Sequence, residues 1–479
     1  MSKERKWDHA IVIGGSIGGL LAARALADYF KRVTILERDV FPEDPVTRKT
    51  VPQGNHIHVL LNEGQTIVEN LFPGIIREMT EAGANWIDSA QDFSWFFQGS
   101  WRPRHKSKNR FLLTFRPYVD WHIRRRLFQD CPNVKALENA VAENLLSNPE
   151  KNRVTGVRFT ENGGPAQELE ADLVVDSSGR TSKTPDWLEQ MGYSRPREKE
   201  IGIELAYTSR IYKRPERFQE DWKFLVLYPQ FPSNWRAGFI SSIQNDQWIV
   251  SLNGYFDDHA PTSDAGFLEF AKSLPKPDIY NWIKDEKPLT EAKIYKIPRI
   301  RRRYYEKLSR FPDGLIVIGD ANCVFNPIFG QGMTAVSLYV KALRNMLAKR
   351  LHNSTDDLQG FSRAFQKSLK SSLDLPWFLT NMVDLSYPQT KGPRPPGMRL
   401  ISWFLARTLE ALSRNPRLSE TFLDVLHLHG GLGKLINPFF SMPILAHGIK
   451  AFFVPLEKRA ETREMPSIRD AGETGAATR

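Results

Sequence analysis

The chain has 479 residues, 41% hydrophobic and 25% charged, with a net charge of +11. These are ordinary globular proportions that exclude wholesale disorder, and no stretch reaches the roughly 18 uninterrupted apolar residues of a spanning helix. At about 150 residues per unit the length suggests three units, or two with one interrupted.

In chain order, the charged N-terminus runs straight into an apolar strand at 10–13, which leaves no room for a signal-peptide core, so a cytoplasmic location is expected. Glycines follow, then a helix over 20–30 and a second strand at 33–36, forming a β-α-β unit. Residues 41–55 read as a loop and 56–82 as helical. Basic residues cluster at 102–110, 124–126 and 299–303; they read mostly as solvated faces. No helix-turn-helix, finger or ribonucleoprotein signature accompanies them, so a nucleic-acid partner is not expected. Strands at 154–160 and 169–176 flank a turn at 161–164. Residues 201–256 alternate in the manner of an antiparallel sheet, as in Phe224, Val226, Tyr228 and Trp248, Val250, Leu252. A last strand at 315–318 precedes a long helix from Gly332, and helices broken by a proline-rich turn at 391–397 follow. Cys131 and Cys323 have no paired spacing, so neither a disulfide nor a metal site is expected.

The string IVIGGSIGGLLAARAL sets Gly14, Ser16 and Gly19 at the three positions of a dinucleotide fingerprint, with Gly15 and Gly18 between them. Small residues there let backbone amides and a helix N-terminus meet a pyrophosphate. Serine stands where the middle glycine is usual, and a tight strand–helix turn without ligand is the other reading. Glu37, 18 residues after Gly19, is placed to accept hydrogen bonds from ribose hydroxyls, with Arg38 beside it. Far downstream lies GLIVIGDANCVFNPIFGQGMTAV.

Together these strings resemble the FAD-dependent group A flavoprotein monooxygenase superfamily. The resemblance implies that Asp320 contacts the flavin-side ribose and that Pro327 borders the ring. It also implies that the helix opening at Gly330, Gln331, Gly332 and Met333 points its positive end at the flavin. In ADLVVDSSGRTSKTPDWL, Gly179 matches a family glycine while Ser178 stands where the family has aspartate; Asp176 and Arg180 are candidates to replace it, and a strand-end turn is the alternative. With TRKTVPQGNHIHVLLNEGQTIVENLFPG and LTFRPYVDWHIRRRL, the match over most of residues 8–385 is closest to the polyether-type flavin-dependent epoxidases. That resemblance places Arg48 and Gln53 over the flavin, Arg116 on its ribose or pyrophosphate, and His56 and His58 near the same pocket. An ion pair of Arg48 with Asp44 or Glu43, and structural hydrogen bonds for the histidines, are the alternatives.

The expected fold is α/β: a glutathione-reductase-like FAD-binding Rossmann domain with a β-meander (1–200 and 299–350), an interleaved antiparallel-sheet substrate domain (201–298), C-terminal helices (351–460) and a disordered tail (461–479). Residues 60–110 would contribute to the substrate pocket. The implied activity is a monooxygenase. FAD is reduced by NAD(P)H in the same cleft, and a flavin hydroperoxide places one oxygen atom of O2 into an apolar alkene, polyene or aromatic ring. The cofactor does the chemistry, so no side chain is named as catalytic. The alternatives are a geranylgeranyl-reductase-like enzyme, a flavin halogenase, which the missing Trp-x-Trp-x-Ile-Pro motif disfavours, and a GDI-like lipid carrier. Residues 435–456 fit either a buried helix pair or a peripheral membrane contact.

Overall fold

The computed structural model describes residues 6–353, 357–431, 433–452 and 465–466; apart from those last two residues, the tail expected to be disordered lies outside them. The strands Trp7–Ile13, Phe30–Leu36, Val134–Leu137, Leu173–Asp176 and Leu315–Val317 form a parallel sheet. Numbered along the chain, their spatial order is 3-2-1-4-5, so the order reverses beside the first strand. The loops that leave the first, fourth and fifth strands therefore open on one crevice, the usual ligand position of such a sheet.

The first strand is apolar on both faces because helices cover both sides of a parallel sheet. The helix Ile17–Ala27 then lies close on it, with Gly19 at the point of nearest approach. A Cβ on Gly19 would stand 1.7 Å from the Gly14 carbonyl oxygen, and Gly14 itself adopts φ +97° with no room for a side chain against Ser177.

Residues 56–82 are not one helix: His58–Leu60 is a strand paired with Arg110–Thr114, followed by helices Asn62–Leu71 and Ile75–Glu81. Proline and glycine at 73–74 separate the two helices. A three-stranded antiparallel meander comprises Ala140–Ser147, Val154–Glu161 and Ala166–Glu170. The strand expected at 169–176 thus divides between two sheets.

The second layer is an eight-stranded sheet in the order Cys323–Val324, Lys293–Arg303, Glu198–Lys213, Gln247–Gly254, Arg236–Ile243, Phe224–Leu227, Phe93–Phe97 and Ser100–Trp101. All its pairings are antiparallel except that of Phe224–Leu227 with Phe93–Phe97. Period-two alternation sends Phe93, Trp95, Phe97, Phe224, Tyr228 and Phe239 to the face shared with the main core. Leu225, Trp248, Val250 and Leu252 face the other side, under helices Asp264–Lys272 and Asp278–Ile283. The two alternating runs seen in the sequence therefore serve opposite faces.

Helices Phe361–Asp384, Met398–Leu412, Pro416–Leu426 and Pro438–Phe452 complete the described chain. No helix among the described residues is long and apolar enough to cross a membrane. Replacing Gly19 by alanine drives Cβ into backbone that cannot move, so Gly19→Ala should destabilise the fold by about 3 kcal/mol; a denaturant midpoint within error of the wild type would refute the close contact.

Candidate functional site

The N-terminus of helix Ile17–Ala27 opens on the crevice. Its first turn has no acidic residue, and Ser16 at its cap position makes no capping bond. Instead the Ser16 hydroxyl accepts a hydrogen bond from Arg116 Nη2 at 3.0 Å. Arg116 opens the helix Arg116–Asp130, is buried, and reaches His58 Nε2 at 3.3 Å with a second nitrogen. An uncapped helix mouth beside a held guanidinium suits an anion.

Glu37, buried at the end of the second strand, accepts from the Gly15 amide at 2.7 Å and from the Asp39 amide at 3.0 Å. It also pairs with Arg48 at 2.9 Å, and Arg48 donates to the Gly15 carbonyl and packs over the Phe41 ring. The structure thus places Arg48 at the Glu37 end of the crevice, paired with neither Asp44 nor Glu43, because a buried carboxylate requires its counter-charge nearby. Arg38 turns outward to the Thr50 carbonyl, and Gln53 sits in the short turn Pro52–Asn55, half-buried.

Asp320 follows the fifth parallel strand and is exposed. Yet burial by its surroundings raises its carboxyl above the usual range, against the opposing pull of Arg116, Arg180 and Arg301. Of the three arginines, Arg116 also pairs with Asp120 at 3.5 Å and Arg301 with Glu198 at 3.9 Å, while Arg180 lies over the Tyr295 ring. Asp176 takes no part. It accepts from Ser178, Ser182 and Thr184 and is consumed within its own turn, whereas Arg180 reaches out to stack on Tyr295. Gly179 has φ +86°, and a Cβ placed on it would meet nothing within 4 Å, so its outer side is open.

At the other end, the turn Pro327–Phe329 leads through Gly330, at φ +65°, into the helix Gly332–His352. A side chain on Gly330 would strike Val59, so the strand carrying His58 lies directly against this turn. Gly332 is exposed, Met333 is buried, and Gln331 is buried with its Oε1 lacking a donor. His58 and His56 are both held neutral at pH 7: burial, aided for His58 by the Arg116 charge, lowers them to about 3 and about 4. His56 continues into a buried chain of hydroxyls, Nδ1 to Ser209 at 2.7 Å, then Ser251 at 2.8 Å and Asn253 at 2.9 Å.

Beside Pro327 lies a group that the sequence does not announce. Asn326 donates to Asp384 at 2.7 Å and to the Tyr255 hydroxyl at 2.8 Å, and Tyr255 donates to Asp384 at 3.2 Å. Asp384 is fully buried, with its second oxygen unpartnered. The one available signal is a lone acid at the end of an otherwise apolar turn in NMVDL. The basic runs are not all solvated: Arg102 and Arg104 of the first run are buried, as are Arg302 and Arg303 of the third.

The crevice tests well as a flavin site. It offers an uncapped helix mouth with Arg116, the carboxylates of Glu37 and Asp320 after two strands of the parallel sheet, and a second helix N-terminus beside the Pro327 turn. Strand order, meander and second sheet together define the fold of FAD-binding halogenases and monooxygenases. Among solved structures, the flavin-dependent brominase Bmp2 aligns over 93% of this chain and 99% of its own, with TM-score 0.60 and 15% identity. PqsL of Pseudomonas aeruginosa, which bears the name of an FAD-dependent monooxygenase, aligns over 79% and 97%, with TM-score 0.57 and 16% identity. No family model matches the sequence. The chain belongs to the family of Protein Rv3254 of Mycobacterium tuberculosis, to which it is 31% identical over 474 residues, 96% of this chain and 98% of the relative.

Burial raises the Asp384 carboxyl to about 7. The folded state therefore holds a proton that the unfolded chain has released above about pH 4. Stability should fall as pH rises from about 4 to 7 and stay reduced above that. Asp384→Asn removes this dependence, so its melting temperature relative to the wild type should rise between pH 5 and pH 8. A constant difference would show that Asp384 is already ionised at the lower pH.

Proposed function

We propose that the protein is an FAD-dependent monooxygenase that inserts one atom of O2 into an apolar alkene, polyene or aromatic substrate, with NAD(P)H as reductant. The observation that carries this reading is the crevice with Glu37 and Asp320 following two of its strands, beside a face built of Phe93, Trp95, Phe97, Tyr228 and Phe239. Bound flavin would supply hydride acceptance and oxygen activation. The chain's own groups hold and screen it. The helix mouth at Ser16 and Arg116 neutralises the pyrophosphate, while Glu37 and Asp320 accept ribose hydroxyls. The N-terminus of Gly332–His352 favours negative charge on the ring. The aromatic face excludes water from the reacting atoms. Only one dinucleotide fingerprint is present in the sequence, which supports transient NAD(P)H binding in the same cleft. Epoxidation is the favoured outcome, from the resemblance to polyether-type epoxidases.

Halogenation is the second reading, favoured by the likeness in fold to Bmp2. Oxygen uptake driven by NADPH and stimulated by polyenes or arenes without halide supports the monooxygenase; uptake that yields product only with bromide or chloride supports the halogenase. Product formed without oxygen uptake would mean a reductase of double bonds. Arg116→Ala removes charge-assisted hydrogen bonds and should weaken FAD binding at least tenfold, or about 1.4 kcal/mol, as read by fluorescence of released flavin. Unchanged affinity would sever Arg116 from the cofactor.

The exposed side chains of Ile436, Phe439, Met442, Leu445 and Ile449, with Leu400 and Arg399 on the adjoining helix, support peripheral contact with an anionic membrane that delivers apolar substrate. The protein should co-sediment with vesicles containing phosphatidylserine, and Phe439→Ser with Met442→Ser should reduce the bound fraction several-fold. Absence of sedimentation would remove this contact.

A further inference from the structure

Arg102 follows the short edge strand Ser100–Trp101, and its amide donates to the Trp95 carbonyl at 2.8 Å. This pairing puts its side chain on the same face as Phe93, Trp95 and Phe97. Its guanidinium lies 5.3 Å from the Trp95 ring centre. The residue is 4% exposed, yet none of its three side-chain nitrogens has a hydrogen-bond acceptor among the described residues. Trp95 is 6% exposed, and its indole N–H also lacks an acceptor. Arg104 shows the contrast: equally buried, it donates to the Gln91 carbonyl at 2.8 Å and pairs with Asp221.

Burial alone lowers the Arg102 pKa, to about 9, with no acidic group contributing. The side chain therefore remains charged at pH 7. A desolvated cation with no counter-ion is among the costliest features a fold can carry, and an unmet buried donor calls for a ligand to explain it. The two residues with unmet donors are in contact on one aromatic face, and their chemistry points to an anionic ligand. The guanidinium fork matches the two oxygens of a carboxylate, the indole N–H adds a third donor, and the Trp95 ring steadies the cation. A single positive charge is balanced by a carboxylate, whereas a phosphate dianion would leave net negative charge buried. The face continues from Trp95 to Tyr228, with ring centres 5.6 Å apart, and the Tyr228 hydroxyl donates to the Ile328 carbonyl at 3.0 Å, within the turn that begins at Pro327.

We propose that Arg102 and Trp95 Nε1 bind the carboxylate of the substrate, so that this enzyme acts on planar apolar acids whose unsaturated part lies along Phe93, Phe97 and Tyr228 toward the Pro327 turn. The assignment rests on the monooxygenase reading above and narrows its substrate class.

The test is calorimetric binding to the purified full-length protein, with bound flavin measured separately by absorbance. The probes are 2-naphthoate and retinoate, each against its methyl ester, and inorganic phosphate. At least one acid should bind tenfold or more tighter than its ester, with phosphate failing to compete. Arg102→Met should bring that acid down to the affinity of its ester while leaving the ester within about twofold. Arg102→Lys, which keeps the charge without the fork, should fall between. Unliganded Arg102→Met should melt at or above the wild-type temperature, because it deletes an uncompensated buried charge. Three results would overturn the assignment: no acid preference in either pair, a preference that survives Arg102→Met, or phosphate competing as tightly as the acids. Protein without flavin would count against the monooxygenase reading, while the acid–ester comparison still decides for or against Arg102.

Discussion

The architecture depends on one backbone contact, the approach of Gly19 at the start of the first helix to the Gly14 carbonyl at the end of the first strand. With no Cβ between them, the helix can lie on the strand while its N-terminal amides open on the crevice at the point where the strand order reverses. Ser177 and Gly319, from the fourth and fifth strands, come within reach of the same loop only because of that closeness. Moving this helix outward by a methyl group would shift its N-terminal mouth, the Arg116–Ser16 bond and the contact of Gly18 with Ser177 together.

Charge organises what this contact positions. Arg116, Arg180 and Arg301 all act on the Asp320 carboxyl, with Arg116 shared with Asp120 and Arg301 with Glu198, whereas Glu37 and Arg48 neutralise each other. A protein interior tolerates a cation only where an anion or solvent meets it. At Arg102 no such relief exists among the described residues, which is why that residue stands apart from the other arginines of its run. The histidines of the NHIHV segment are held neutral by burial, so their role is to donate or accept single hydrogen bonds and not to carry charge.

The aromatic face is assembled from distant parts of the chain. Phe93–Phe97 pairs in parallel with Phe224–Leu227, which brings the hairpin of Phe93–Phe97 and Ser100–Trp101 into a sheet whose other strands lie at or beyond residue 198. The C-terminal helices then close it: Phe422 meets Trp95, Asp384 bonds to Asn326 beside Pro327, and Gln331 donates to the Leu426 carbonyl.

The sequence by itself determined the nucleotide-binding half of the molecule, because glycines at fixed spacing, an acid at a strand end and a Gly-Asp followed by Pro and Gly-x-Gly are local requirements of backbone geometry and helix ends. The meander and the alternating sheet were legible for the same reason, since period and turn residues are local properties. Only the tertiary structure decided which face each alternating run serves, that Asp176 is spent within its turn, that Arg48 belongs to Glu37, and that Arg102 is buried without a partner among the described residues. Some of these pairings join residues more than 100 positions apart, as with Asp384 and Tyr255 or His56 and Ser209, and even the nearer ones depend on how the chain turns in space. A basic run reads the same in sequence whether its side chains meet water, a carboxylate or nothing.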